Sequence, residues 1–311
     1  MSMQITEAFV QQYKSNIFHQ SQQKGSRLRG AVRSEMQNGK RQFFERLGQT
    51  AAILKNSRHM DTPQIDSAHS RRAVSLEDYI WADLIDDEDK IRLLIDPASP
   101  YSQAAMWAMG RSMDDVLIAA MRGNAYSGEA GTTPVALPAT QKVLAASDSA
   151  LGTPTGMNID TLRRVKYKFD HADIDESIPR YMAITSKQLQ DLLGETEITN
   201  ADYASVKALV QGQLDTFMGF KFIRTERLPA VDATYDTSTG AVDSGGGSLS
   251  SARRCLAWAG DGVVLAVGRD MEAKIEKRAD KNYATQVFAR MSIGATRIEE
   301  EKVVEIVVKE A

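Results

Sequence analysis

The apolar positions of this chain change their period several times, and each change marks a different kind of element. Ile5, Phe9, Tyr13 and Ile17 recur every fourth residue, the spacing of one helical face, before the chain turns polar and basic up to about residue 36. That apolar surface is too small to fold alone, so residues 1–36 are expected to form an arm with an amphipathic start. Residues 37–80 carry weakly alternating runs around Phe43, Phe44, Ala51 and Ile53, then from Ile65 to Ala73, with no core of their own. They predict a long two-stranded projecting loop. Residues 81–126 contain the strongest helix signal, in which Met106, Met109, Met113, Leu117 and Ala120 repeat at spacings of three and four. Ser99 is placed to cap it, Pro100 fits its first position and Gly123 ends it. A run of about 24 residues gives a rod roughly 36 Å long. Ala104, Ala105, Ala108, Gly110, Ala119 and Ala120 keep its surface small, so that another element can lie close.

Residues 127–268 alternate between the two periods. Ile159, Leu162, Val165 and Phe169 predict one helix, and Ser186 is expected to cap a short second through Leu189 and Leu193. Tyr203, Val206, Val210, Leu214 and Phe217 predict a third, ending before Gly219. RYMAIT (180–185) predicts a buried strand and FKFIRTE (220–226) a half-buried one. From Val231 to Ser251 the chain is rich in Gly, Ser, Thr and Asp, which predicts a mobile surface loop. Residues 269–311 are strand-like and densely charged.

A chain of 311 residues, 42% hydrophobic and 25% charged, can bury a substantial core as one large or two ordinary domains. It has no run of about 18 apolar residues to cross a bilayer. Its opening MSMQITEAFVQQYKSN lacks the apolar core of a signal peptide, so the protein is expected to stay where it is made. Cys255 is the only cysteine, which excludes an intrachain disulfide and suits a reducing cytoplasm. Within CLAW it reads as a small buried apolar residue.

The net charge of -3 conceals an asymmetry. Residues 1–60 hold ten Lys or Arg against Glu7, Glu35 and Glu45, a net +7, whereas residues 61–100 hold ten acids against Arg71, Arg72, Lys90 and Arg92. Adjacent segments of opposite sign can attract segments of neighbouring copies and so order an assembly. A basic arm can also bind phosphates by releasing counterions. Aromatic residues are not interleaved with these basic ones, as a base-stacking surface would need, and the acids that follow repel a nucleic-acid backbone.

Constellations that carry chemistry are weak. Asp170, His171, Asp173, Asp175 and Glu176 offer possible ligands on a turn, but lack the glycine and closing acid of a calcium loop. Asp86, Asp87, Glu88 and Asp89 are consecutive, so on a helix they would point in different directions. Gly260, Gly262 and Gly268 have Leu265 where a third dinucleotide-fingerprint glycine belongs, and Gly245, Gly246 and Gly247 lead to Ser248 with no phosphate-binding lysine. His19, His59, His69 and His171 stand in no motif. No catalytic, cofactor-binding or metal-ligating residue is assigned, no cofactor is expected, and the chain is read as a non-enzyme.

The order of segments is more telling. GKRQFFERLGQTA (39–51) runs into the acidic stretch and the long helix, and GFKFIRTERLP (219–229), RCLAWAGDGVVLAVGRD (254–270) and IGATRIEEEKVVEIVV (293–308) follow. This order resembles the tailed-phage major capsid protein family, which has the Hong Kong 97-type fold, and its short-tailed-phage members in particular. The resemblance implies an α+β subunit: N-terminal arm (1–36), extended two-stranded loop (37–80), peripheral domain with a spine helix (81–126), axial domain (127–268) and a return to the peripheral domain (269–311). It implies self-assembly into pentamers and hexamers of an icosahedral phage head around double-stranded DNA. The expected partners are other copies of the chain, portal and scaffolding proteins, a decoration protein and the packaged DNA on the inner face, with no membrane. The expected location is the virion capsid, assembled in the host cytoplasm. Some family members crosslink a lysine to an asparagine, and no residue here is matched to that pattern. The alternatives are an encapsulin-like bacterial compartment shell, which shares the fold, a nucleic-acid-binding protein using the basic arm, and an enzyme using the acidic turn near His171.

Overall fold

The computed structural model describes residues 21–62, 64–85, 98–195 and 216–310. The amphipathic start from Ile5 to Ile17, His19, the acid run Asp86 to Asp89 and the helix expected from Tyr203 to Leu214 lie outside the described residues. The strands are β1 (Arg33–Met36), β2 (Arg41–Leu47), β3 (His69–Ser75), β4 (Glu77–Ile85), β5 (Ala125–Ser127), β6 (Thr133–Val135), β7 (Lys142–Leu144) and β8 (Arg180–Ile184). They continue as β9 (Thr216–Phe217), β10 (Phe220–Arg224), β11 (Ala230–Tyr235), β12 (Gly247–Ala259), β13 (Val263–Lys277), β14 (Thr285–Arg297) and β15 (Val303–Val308). Among the described residues the helices of eight or more residues are α1 (Ala98–Arg122), α2 (Ile159–His171) and α3 (Ser186–Gly194). None of the described helices is long and apolar enough to cross a membrane.

Two compact units emerge. The larger comprises Arg27–Glu77, Met113–Gly268 and Ile293–Ala311, and the smaller comprises Met1–Ser26, Asp78–Ser112 and Arg269–Ser292.

The larger unit is organised by a mixed sheet in the order β7-β15-β12-β8-β10-β9, with β11 paired to β12. Its centre is the densest apolar stretch of the chain. All six residues of VVEIVV in β15 are buried, as are Cys255, Leu256, Ala257, Trp258 and Ala259 of β12. A strand buried on both faces loses the polar-apolar alternation, which is why RYMAI in β8 reads as a continuous run. Ile159, Leu162, Val165 and Phe169 give α2 its buried face, and Asn158 Oδ1 caps it by accepting from the Thr161 N–H at 2.8 Å. The cap of α3 is Thr185 and not Ser186: Gln188 Oε1 accepts from the Thr185 N–H at 3.1 Å, the reciprocal half of a capping box. Phe217 ends no helix. It pairs with Phe220 across a two-residue turn in which Met218 and Gly219 have φ of 51° and 87°, the left-handed geometry that hairpin strands require.

Two further segments differ from what their composition predicts. Residues 231–251 are largely hairpin: β11 pairs antiparallel with β12 from Ala230↔Arg253 to Tyr235↔Gly247. Ala233, Val242, Leu249 and Ala252 are buried against Leu144 and Val307. Their small side chains and the polar turn, where Asp236 Oδ1 accepts from the Ser238 N–H at 2.7 Å, hid the alternation. The chain from Leu28 to Met36 is also tied to the larger unit, by two buried side chains and by strand pairing. Leu28 and Ala31 are buried, Trp258 Nε1 donates to Ala31 O at 2.8 Å, and β1 lies parallel to β13 from Arg33↔Val264 to Met36↔Val267.

In the smaller unit the outer part of β13, β14 and β4 are successive strands of one sheet. Thr285, Val287, Ala289 and Met291 of β14 are buried in strict alternation, and Glu272 meets Arg290 at 3.0 Å on the opposite face. Along α1 one apolar stripe is buried at Ala105 and Met109 in this unit and at Met113, Leu117 and Met121 in the larger one, with Asp114 and Ile118 buried beside it. The stripe therefore runs every fourth residue, with Met106 and Ala120 only partly covered. The helix starts at Ala98, so Ser99 is already inside it, and Gly123 ends it, its N–H donating to Ala119 O at 2.7 Å.

Candidate assembly surfaces

The closing segment IGATRI holds the frame from which the surfaces project. Arg297 is fully buried, with Nη1 donating to Met121 O at 2.8 Å and Gly123 O at 2.7 Å, and Nη2 donating to Val135 O at 3.0 Å. The carbonyls at a helix C-terminus have no partner within the helix and form the negative end of its dipole, so a forked cation answers both needs. Burial pulls the Arg297 guanidinium below its ordinary pKa. Three residues earlier, a Cβ on Gly294 would run into the Ser75 carbonyl, so only glycine permits this approach of β14 to the end of β3.

From that frame extends the ribbon of β2 and β3, in register from Arg41↔Ser75 to Leu47↔His69 and continued by Gly48 N–H to Ala68 O at 2.7 Å. Its base is tied down. Arg72, itself buried, meets Glu300 at 2.5 Å, Arg46 Nη1 donates to Ile298 O at 2.7 Å, and the Arg71 guanidinium lies 5.4 Å from the centre of the Phe43 ring. Beyond Gly48 the described residues form no further strand or helix before Ala68, and Ala51, Ala52, Ile53 and Leu54 are exposed, Leu54 by 80%. Four consecutive apolar residues thus stand exposed beyond the paired part of the ribbon.

Other exposed apolar groups are spread over the two units. In the smaller unit Ile80 and Leu84 stand on the outward face of β4, Ile80 at 72% exposure, and Tyr283 marks the turn between β13 and β14. In the larger unit Met36 is exposed on β1, and Tyr167 on α2 stacks on His171 with ring centres 5.6 Å apart.

The groups considered for chemistry do not converge. Asp170 pairs with Arg180 at 2.6 Å, Asp175 accepts from the Ser177 N–H at 2.8 Å, and His171 is engaged with Tyr167. Among the described residues no group of three or more His, Cys, Asp or Glu is arranged to hold a metal ion. Cys255 is fully buried and its thiol pKa is pushed up by that burial, away from thiolate chemistry. Gly262 serves close packing, since a Cβ there would meet the Lys302 side chain at 2.6 Å. Of the basic residues before residue 60, Arg46 is spent on Glu300 and Arg33 on Glu35. Sequence reasoning missed Arg297 and Arg72 as buried cations; the one available signal was an arginine inside an otherwise apolar alternation.

A family model described as phage capsid protein matches residues 5–310. The chain belongs to the phage capsid protein family. No curated protein sequence matches it. Among solved structures, the capsid of cyanophage P-SCSP1u superposes with a TM-score of 0.73 at 16% identity, covering 100% of this chain and 96% of that one. The capsid subunit of cyanophage Pam1 gives a TM-score of 0.70 at 13% identity, covering 98% and 97%. The capsid of a native GTA particle gives 0.63 at 12%, covering 99% and 98%. At such identities the likeness is one of fold, and it identifies the α+β architecture as that of a Hong Kong 97-type capsid subunit. The protein is thus a structural component of a phage head, of the major capsid protein kind.

Proposed function

We propose that this capsid protein assembles with copies of itself into pentamers and hexamers of an icosahedral shell that encloses double-stranded DNA. The observation that carries this reading is the family match over residues 5–310, together with a fold that spans nearly the whole of both this chain and its solved counterparts. In this reading residues 37–80 are the extended loop, 81–126 and 269–311 the peripheral domain with α1 as its spine, and 127–268 the axial domain. The exposed tip around Ile53 and Leu54 then finds cover on a neighbouring copy, and burying such side chains stabilises a contact by about 1.5–3 kcal/mol each. Portal, scaffolding and decoration proteins are the further partners, assembly takes place in the host cytoplasm, and the role is structural and not catalytic.

Sedimentation and electron microscopy of the purified protein test the reading. Closed particles of uniform diameter are expected. A monomer whose main property is salt-sensitive DNA affinity would replace it with a nucleic-acid-binding function.

A further inference from the structure

Asparagine or aspartate stands directly before glycine at two places in the chain, Asn38–Gly39 and Asp261–Gly262. In such a pair the glycine carries no side chain to keep its nitrogen away from Cγ of the residue before it. The structure treats the two pairs in opposite ways. At Asp261–Gly262 both groups are engaged: the Gly262 N–H donates to Ala259 O at 2.9 Å, and Asp261 Oδ2 accepts from Lys302 Nζ at 2.7 Å.

At Asn38–Gly39 both groups are open. The pair lies exposed in the turn between β1 and β2, and no described residue accepts from the Gly39 N–H or bonds the Asn38 side chain. Nothing lies within 4 Å of the place where a Cβ on Gly39 would stand. The flanks, by contrast, are held. Gln37, itself buried, donates its N–H to Val267 O at 2.9 Å and Nε2 to Gly39 O at 3.0 Å, and the Leu76 N–H donates to Lys40 O at 3.3 Å.

We propose that Asn38–Gly39 is a site of spontaneous modification, at which the chain converts its own Asn38 to aspartate and isoaspartate through a cyclic imide. The Gly39 nitrogen gives its proton to water and attacks Asn38 Cγ. The N–Cγ bond forms, the Cγ–Nδ2 bond breaks, and Nδ2 takes a proton from water and leaves as ammonia. A second water then opens the imide at one of its two carbonyls. Opening at Cγ leaves aspartate, and opening at the main-chain carbonyl leaves isoaspartate, whose backbone is one carbon longer. No oxidant, reductant or cofactor enters. Either product places a new carboxylate just before Lys40 and Arg41. The isoaspartate must also fit a longer main chain between the anchors at Gln37 and Lys40, which loosens them. This inference does not depend on the shell reading.

Peptide mapping by mass spectrometry tests it, on the full-length protein aged in mildly alkaline buffer either folded or in urea, with isoaspartate counted by an isoaspartyl methyltransferase. In the folded protein most of the Asn38 peptide is expected to convert. Asn56, exposed but followed by Ser57, and Asn158, whose Oδ1 caps α2, are expected to keep their amides. Isoaspartate is expected at Asp261 only in urea, where its hydrogen bonds are gone. Gly39→Ala is expected to lose most of the conversion. Conversion of Asn38 that is no faster than that of Asn56, or that occurs only in urea, overturns the proposal, even if Gly39→Ala fails to fold. Undiminished conversion in a folded Gly39→Ala overturns the role of the glycine. Converted protein separated by anion exchange should exchange its Gln37 amide roughly ten-fold faster, and unchanged protection there overturns the loosening.

Discussion

At the scale of single residues, the load falls on a few arginines whose charge is buried or half-buried and fully engaged. Arg297 is the most exacting, because its fork satisfies the end of α1 and the Val135 carbonyl together. Arg297→Lys keeps the charge and loses the fork, and is expected to cost roughly 3 kcal/mol and lower the melting temperature by about 6–12 °C. Calorimetry checks this, and an unchanged melting temperature would show that the fork is dispensable. Glu310 illustrates the opposite sign of charge. It accepts from Arg253 Nε at 2.9 Å and Nη2 at 2.7 Å and from Gln188 Nε2 at 3.0 Å, and the Arg253 guanidinium holds its carboxyl below the usual range. A depressed folded-state pKa contributes stability that is present above the unfolded value and is lost as pH falls through the folded one. Glu310→Gln should therefore destabilise the protein by about 1 kcal/mol at pH 7. The difference from wild type should shrink as pH falls below the ordinary glutamate range and the unmodified carboxyl protonates. Urea titrations at neutral and acidic pH would expose a gap that ignores pH.

At the scale of elements, what was legible followed from periodicity, and what was not followed from contacts distant in sequence. The helix of α1 and its end at Gly123, the buried face of α2 and the strands β8 and β10 can be read from spacing, since their apolar residues serve one local face each. The hairpin of β11 and β12 could not. Its buried positions are Ala, Val and Leu separated by turn residues, and their partners Leu144 and Val307 are remote in the chain. The candidate surfaces were legible only in part. The projecting ribbon shows in the alternation around Phe43, whereas Arg297 reads as an ordinary charge until its backbone partners are known. Two substitutions test these elements. Leu249→Ala is expected to cost about 2–4 kcal/mol, where a mobile loop would lose nothing, and thermal denaturation decides between the two. Met113→Asp places an unpaired carboxylate at a position with no exposed surface, so it should fail to fold or should aggregate. Gln103→Asp, exposed near the start of the same helix, should fold normally. Equal soluble yields of the two would contradict a buried Met stripe.

At the scale of the whole molecule, the chain combines a firmly buried frame with apolar groups left in the open. VVEIVV and CLAWA fill the frame, while Ile53, Leu54, Ile80, Met36 and Tyr167 lie on surfaces that a lone subunit would gain by covering. Repeated copies of one chain satisfy such surfaces when different patches of it meet and the ring they generate closes. A member of the phage capsid family with this fold is therefore expected to be stable as a subunit and complete only as a shell. The most direct test is cryo-electron microscopy of the purified wild-type chain beside a variant carrying Ile53→Asp and Leu54→Asp at the exposed tip. Closed icosahedral particles are expected from the wild type, and from the variant a folded subunit with an unchanged melting temperature that remains unassembled. Uniform shells from both proteins would contradict the assembly role of the tip, and a wild type that stays monomeric at every concentration would contradict the shell itself.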